Sequence, residues 1–204
     1  MNAREPAENM ALIRRSATDR VQPDLFGPAL LPGLRYMAGI IDEDEERALA
    51  ARVTALPFAP FQFQGFEGKR RIASFGLRYD FSRGRAEPAE SIPGWALALR
   101  ERAAEFAGLA PAALEQLLVT EYAPGAPIGW HRDRPLFDKV VGVSLLAPAT
   151  LRFRRRTAGR WERSRIELAP RSAYLISGEA RDAWEHSIPE QEQLRYLLTF
   201  RSLR

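Results

Sequence analysis

What most constrains this chain is a change of character at Leu117. From there on, short runs rich in Val, Leu, Thr, Phe and Tyr alternate with Gly, Pro and charged turns, the pattern of successive strands. The runs are Leu117 to Tyr122, Val140 to Leu146, Thr150 to Arg155, Arg165 to Leu168, Ala173 to Ile176 and Tyr196 to Arg201. Upstream the periodicity is helical. Asp42 to Val53 opens with acids that suit a helix N-terminus and puts Leu49, Ala50 and Val53 on one stripe. A second helix is expected from Trp95 to Phe106, after Pro93 and Gly94 and before Gly108, with a short helical turn at Pro111. Helices followed by many short strands predict an α+β domain whose strands form a sandwich or partly closed barrel.

Length and composition narrow this further. The 204 residues fit one domain, expected over 26–204 behind a flexible tail over 1–25. With 46% hydrophobic and 27% charged residues, the chain can build a core and is neither a disordered nor a collagen-like sequence. It has no cysteine, which removes disulfides, iron-sulfur clusters and thiol nucleophiles and fits a reducing cytoplasm. No apolar run reaches membrane-spanning length and the first residues lack a secretory signal, so a cytoplasmic protein, without membrane contact and monomeric, is expected. The net charge is +4, and all cations but Lys69 and Lys139 are arginines. That bias suits phosphate or carboxylate recognition, although a GC-rich genome accounts for the total as well.

There are two histidines, and both sit where a metal ligand would be wanted. In an extended segment His131 and Asp133 point to the same side while Arg132 points away, forming a chelating pair. His186 would complete two imidazoles and a carboxylate on one face of an ion, the arrangement of non-heme Fe(II) oxygenases; a zinc site is the other metallic option, and a triplet of this kind can also be metal-free. The run Arg195 to Arg201 adds weight. Its even positions from Arg195, namely Leu197, Thr199 and Arg201, share one face, and Tyr196, Leu198 and Phe200 share the other. Cations turned inward must meet an anion, because a buried unpaired charge costs several kcal/mol. Thr120 and Tyr122 likewise share one strand face and can look into the same cavity.

These residues stand in an order that resembles the AlkB family of Fe(II) and 2-oxoglutarate dependent dioxygenases. The resemblance is carried by Glu121-Tyr122-Ala123-Pro124-Gly125, Ile128 to Asp133, Gly142 to Leu145 with Phe153-Arg154-Arg155, Trp184 to Pro189 and Arg195 to Arg201. With Ile72 to Phe81 it covers about residues 30 to 201. It implies a double-stranded β-helix, or jelly-roll, core with N-terminal helices packed on one sheet and a nucleotide-recognition lid. It further implies Fe(II) held by His131, Asp133 and His186, and 2-oxoglutarate held at its distal carboxylate by Arg195 with help from Tyr122, Thr120 and Arg201. Dioxygen is the remaining reactant. Oxidative decarboxylation to succinate would then hydroxylate a nearby C–H bond, and an N-linked methyl so oxidised collapses to formaldehyde.

Two departures from the family pattern stand out. Thr120 and Leu197 occupy positions where better-studied members carry asparagines, and Arg134 and Pro135 replace an acidic base-reading residue. Substrate class is read from Phe66 to Arg85, where Lys69, Arg70, Arg71, Arg78, Arg83 and Arg85 interleave with Phe75, Tyr79 and other aromatics. Cations alternating with rings suit a phosphate backbone and a flipped base. With Trp130 beside the metal pair, this makes alkylated nucleic acid, preferably single-stranded DNA, the expected partner, and repair of alkylation damage the expected function. Arg152 to Arg165 adds seven arginines in a hairpin turning at Thr157 to Gly159, or else a solvated edge that discourages strand pairing. The alternatives are a dioxygenase acting on a protein side chain or metabolite, and a non-catalytic nucleic-acid-binding barrel.

Overall fold

The computed structural model describes residues 30–63, 66–80 and 83–204; the expected tail and the expected domain start at Phe26 lie outside them. The first helix, α1 (Glu43–Thr54), starts where the acids suggested. Asp42 accepts from the Glu45 backbone N–H while the Glu45 side chain accepts from that of Asp42, a reciprocal capping box. Its buried stripe is Leu49 and Val53 with Glu46 rather than Ala50. Glu46 is tolerated there because it accepts from the Leu146 N–H and pairs with Arg171. A turn of 3-10 helix (Gly94–Ala96) leads into α2 (Leu97–Ala107), which closes on Gly108 at φ +65°, a left-handed cap that favours glycine.

Every strand pair is antiparallel. The large sheet runs β1 (Leu34–Met37), β11 (Ala173–Ile176), β8 (Phe137–Leu145), β13 (Arg195–Leu203), β6 (Leu114–Tyr122), β3 (Phe66–Phe75), β2 (Ala59–Phe63). The smaller sheet runs β10 (Arg160–Leu168), β9 (Ala149–Thr157), β12 (Glu185–Ile188), β7 (Ile128–His131). A separate ribbon pairs β4 (Leu77–Asp80) with β5 (Arg85–Pro88). The short α3 (Gly178–Asp182) lies between β11 and β12. This is a jelly roll with helices on one side.

Alternation along each strand creates two cores. Leu117, Val119, Val143, Leu198 and Phe200 face α1 and α2, where they meet Leu49, Val53, Leu99 and Phe106. The opposite faces bury Tyr122, Leu151, Phe153, Tyr174, Ile188 and Leu197 between the sheets. Each fully buried side chain of this size contributes roughly 1.5 to 3 kcal/mol, so both faces are fixed against register slips. The β9–β10 hairpin turns through Ala158 and Gly159, both at positive φ, as a two-residue turn requires.

Several boundaries differ from the sequence reading. The run at Arg165 begins at Arg160, and that at Leu117 begins at Leu114. The strands over residues 59–88, and those carrying Ile128–His131 and Glu185–Ile188, were not expected as strands. Short, charged or Gly/Pro-bounded segments carry too few apolar residues to show a period of two.

Candidate active site

The three candidate ligands arrive from two adjacent strands of the smaller sheet. His131 ends β7 and pairs in register with His186 on β12. Asp133 follows two residues on, just past the strand end. One donor atom from each lies within 4.8 Å of the others, and the imidazole centroids are 4.3 Å apart. His131 Nδ1 lies 2.9 Å from the Gly129 carbonyl, which favours the proton on Nδ1 and leaves Nε2 a lone pair. Burial, before any other cause, lowers both imidazole pKa values, and with His131 beside it His186 is pushed down to about 3. Both rings are therefore neutral donors at neutral pH.

Asp133 is the counterpart. Burial alone would raise its carboxyl, but the Arg201 guanidinium, then His186 and His131, outweigh burial and hold it below the usual range. Arg201 Nε and Nη2 reach Asp133 Oδ1 at 3.0 and 2.8 Å, while Gln116 Oε1 accepts from Arg201 Nη1 at 2.9 Å. The other oxygen, Oδ2, is buried, has no hydrogen-bond partner among the described residues and lies 3.5 Å from His186 Nε2. An orphaned carboxylate oxygen facing two imidazole lone pairs fits a divalent cation. Arg181, on α3, donates to the carbonyls of Arg134 and Phe137 and so fixes the backbone just beyond Asp133.

On β13, Arg195 is completely buried. Its Nε donates to Ser144 Oγ at 3.0 Å, but neither Nη has a hydrogen-bond partner among the described residues, and the guanidinium carbon lies 5.4 Å from the Tyr122 ring centroid. A guanidinium keeps its charge, so an anion of the right reach is the missing partner. The distal carboxylate of a dicarboxylic acid fits this cradle. Thr120, opposite Leu197 in register, shares the inner face with Tyr122. Leu197 packs into the inter-sheet core and offers no polar atom.

Of the expected substrate residues, the structure turns some toward this cavity and others away. Arg70 is on the inner face of β3, alternating with Arg71. Its guanidinium lies 3.7 Å from the Phe61 centroid, and its pKa is lowered chiefly by burial, with Tyr122 and Arg201 acting on it. Tyr79 meets Arg134, the residue after Asp133, at 4.8 Å. Arg71 faces the helix side instead, in a two-bond pair with Glu121. Phe75 is buried in the helix-side core. Arg78 pairs with Glu87 across the ribbon, and Lys69 with Glu190 on the surface. Trp130 lies on the outer face of the smaller sheet, under Arg152 and Arg154 at 5.3 and 4.5 Å. For Arg71, Phe75 and Trp130 the period of two decides: a strand cannot send neighbours to one face.

Gln116, Ser144 and Arg181, which hold Arg201, Arg195 and the backbone beyond Asp133, are residues that the sequence reading missed. The first two lie on inner-face positions of β6 and β8, and extending the alternation by two residues from Leu118 and Gly142 would have found them. Arg181 sits in a five-residue helix with no pattern to expose it.

Comparison with known proteins agrees with this geometry. Residues 33–201 match the model of the 2OG-Fe(II) oxygenase superfamily, and the chain belongs to that family. Its members use Fe(II), 2-oxoglutarate and dioxygen, and the triad and the Arg195 cradle fit the first two. Within it the chain is AlkB-like. It is 28% identical over 186 residues to the Alkylated DNA repair protein ALKBH8 homolog of Arabidopsis thaliana, covering 79% of this chain and 52% of that protein. It is 29% identical over 121 residues to the Probable RNA/DNA demethylase ALKBH6 of Danio rerio, covering 59% of this chain and 49% of that one. The structure of OsALKBH1 superposes with a TM-score of 0.66 at 17% identity, over 86% of this chain and all of the other, a likeness of fold. The chain thus spans about half the length of these two curated relatives. Among the described residues no helix is long and apolar enough to cross a membrane.

Proposed function

We propose that this chain is an oxidative dealkylase of nucleic acid, removing N-linked methyl groups from bases, with single-stranded DNA its preferred substrate. Bound iron, with 2-oxoglutarate and dioxygen, supplies the oxidation, in which the cosubstrate becomes succinate and carbon dioxide and one oxygen atom enters the substrate C–H bond. The N–C bond then breaks with its electron pair returning to nitrogen, the hydroxymethyl group leaves as formaldehyde, and its hydroxyl proton goes to water when the alkylated base is cationic. The protein contributes placement. Arg195 anchors the distal carboxylate, Arg201 keeps Asp133 ionised and oriented, and the apolar lining around Phe153 and Leu197 keeps water from the reacting carbon.

The observation that carries the nucleic-acid reading is the cationic mouth of the cavity. Arg70 turns into the barrel without a carboxylate partner among the described residues, and Arg134 lies against Tyr79 where it borders the metal ligands. A phosphate flanking an inserted base suits a mouth lined by these cations. The β3–β5 segment is the proposed lid over that base. The names of the relatives support the same class of substrate.

The test is turnover of single-stranded oligonucleotides bearing 1-methyladenine or 3-methylcytosine by iron-loaded protein. Formaldehyde and unmodified base are expected in equal amounts. Consumption of 2-oxoglutarate without either product would overturn the reading in favour of a protein or metabolite substrate.

A further inference from the structure

We propose that Tyr174 is a cosubstrate-binding residue of this chain, its phenol donating a hydrogen bond to the distal carboxylate of 2-oxoglutarate beside Arg195, with Gly142 providing the space it needs. Tyr174 on β11 is opposite Gly142 on β8. A Cβ at Gly142 would fall 2.3, 2.4 and 2.5 Å from Cζ, Cε1 and the hydroxyl oxygen of Tyr174. The ring therefore lies flat across β8 with its polar tip where any other residue would project a side chain. Beyond Gly142 is β13, and two inner-face positions converge there: Gly142 is opposite Thr199, and Ser144, which holds Arg195 Nε, is opposite Leu197.

Lying over Gly142, the hydroxyl is on the inner face of the large sheet, the face that also carries Ser144, which holds Arg195. Tyr174 and Arg195 act on each other electrostatically, as do Tyr122 and Arg195. Tyr174 is 4% exposed, and burial, before any other cause, raises its phenol pKa, so the hydroxyl keeps its proton and can donate. A carboxylate held by Arg195 needs further donors, because a guanidinium fork covers one edge of it only. Leu197 supplies none, and Tyr174 reaches from β11 across β8 to take that part.

The same observations would describe a core tyrosine unless its oxygen touches the ligand, so the test compares two ligands. Calorimetry on manganese-loaded protein measures the affinity for 2-oxoglutarate and for 2-oxopentanoate, which has the same chain without the distal carboxylate. Tyr174→Phe is expected to weaken 2-oxoglutarate by on the order of ten- to a hundredfold, the worth of a hydrogen bond to a charged group, and to leave 2-oxopentanoate unchanged. Gly142→Ala, which displaces the ring, is expected to act in the same direction on 2-oxoglutarate alone. Equal 2-oxoglutarate affinity in wild type and Tyr174→Phe, or an equal loss for both ligands, would overturn the proposal. Neither result depends on which substrate is oxidised.

Discussion

Arg195 holds a permanent charge in a completely buried position with no acid bonded to it among the described residues, and that residue explains more of the site than any other. Its Nε is tied to Ser144, and its two Nη groups are left for a ligand. Truncation to alanine should leave metal binding intact and weaken 2-oxoglutarate by about 2 to 5 kcal/mol, the cost of losing one side of a desolvated charge pair. Lysine in its place should recover part of the loss, since it restores charge without the planar fork. Calorimetry on metal-loaded variants checks both; an Arg195→Ala protein with wild-type affinity would remove Arg195 from the cradle. That Arg195 turns inward was legible in the sequence, because two arginines at an even spacing on an apolar-backed strand share one face. Tyr174 was not legible. A tyrosine in the four-residue run Ala173–Ile176 reads as core, and only the contact with Gly142 shows where its hydroxyl goes.

At the scale of elements, α1 is joined to α2 by the pair of Glu45 with Arg102, which also reaches the Ile40 carbonyl at 3.2 Å. The Glu45 carboxyl is held at about 2, first by the Arg102 hydrogen bond and then by the capping bond to Asp42. Because the folded value lies below the ordinary glutamate value of 4.5, the contribution to stability is complete above about pH 4.5 and disappears as the pH falls toward 2. Both side chains are more than a third exposed, so solvent screening limits the pair to about 1 kcal/mol or less. Arg102→Ala should lower the denaturation midpoint slightly at pH 7 and match wild type at pH 2; a difference that persists at pH 2 would assign the effect to packing. The capping box was readable, being written as Asp-x-x-Glu. The strands over residues 59–88 were not, because their arginines and glycines hide the alternation that pairing with β6 imposes. That pairing also explains why Arg70 and Arg71, adjacent in a basic run, part company: one enters the barrel and the other meets Glu121.

At the scale of the whole molecule, closing one sheet over another brings together residues that are distant in sequence. His131 and His186 are direct cross-strand neighbours, and Arg201 comes from the facing sheet to orient Asp133. A sandwich or partly closed barrel was foreseeable from the strand count and the jelly roll from the family resemblance, whereas the surface character of the arginine hairpin needed the register. Arg152, Arg154, Arg156, Arg163 and Arg165 share the outer face of the smaller sheet, where Arg154 lies between Trp130 and Trp161 at 4.5 and 4.6 Å. If flanking phosphates rest there, Arg156→Glu with Arg163→Glu and Arg165→Glu should weaken binding of all single strands alike and flatten its salt dependence. An unchanged slope in fluorescence anisotropy would make this face a solvated edge. The central claim is that the folded barrel holds one divalent ion through His131, Asp133 and His186. An ion that binds only the folded state raises its thermal midpoint, so the direct measurement is that midpoint against manganese concentration, alongside a titration for stoichiometry. The account predicts a rise with one ion per chain in wild type and no rise in His131→Ala or His186→Ala. An equal rise in wild type and both variants would contradict it.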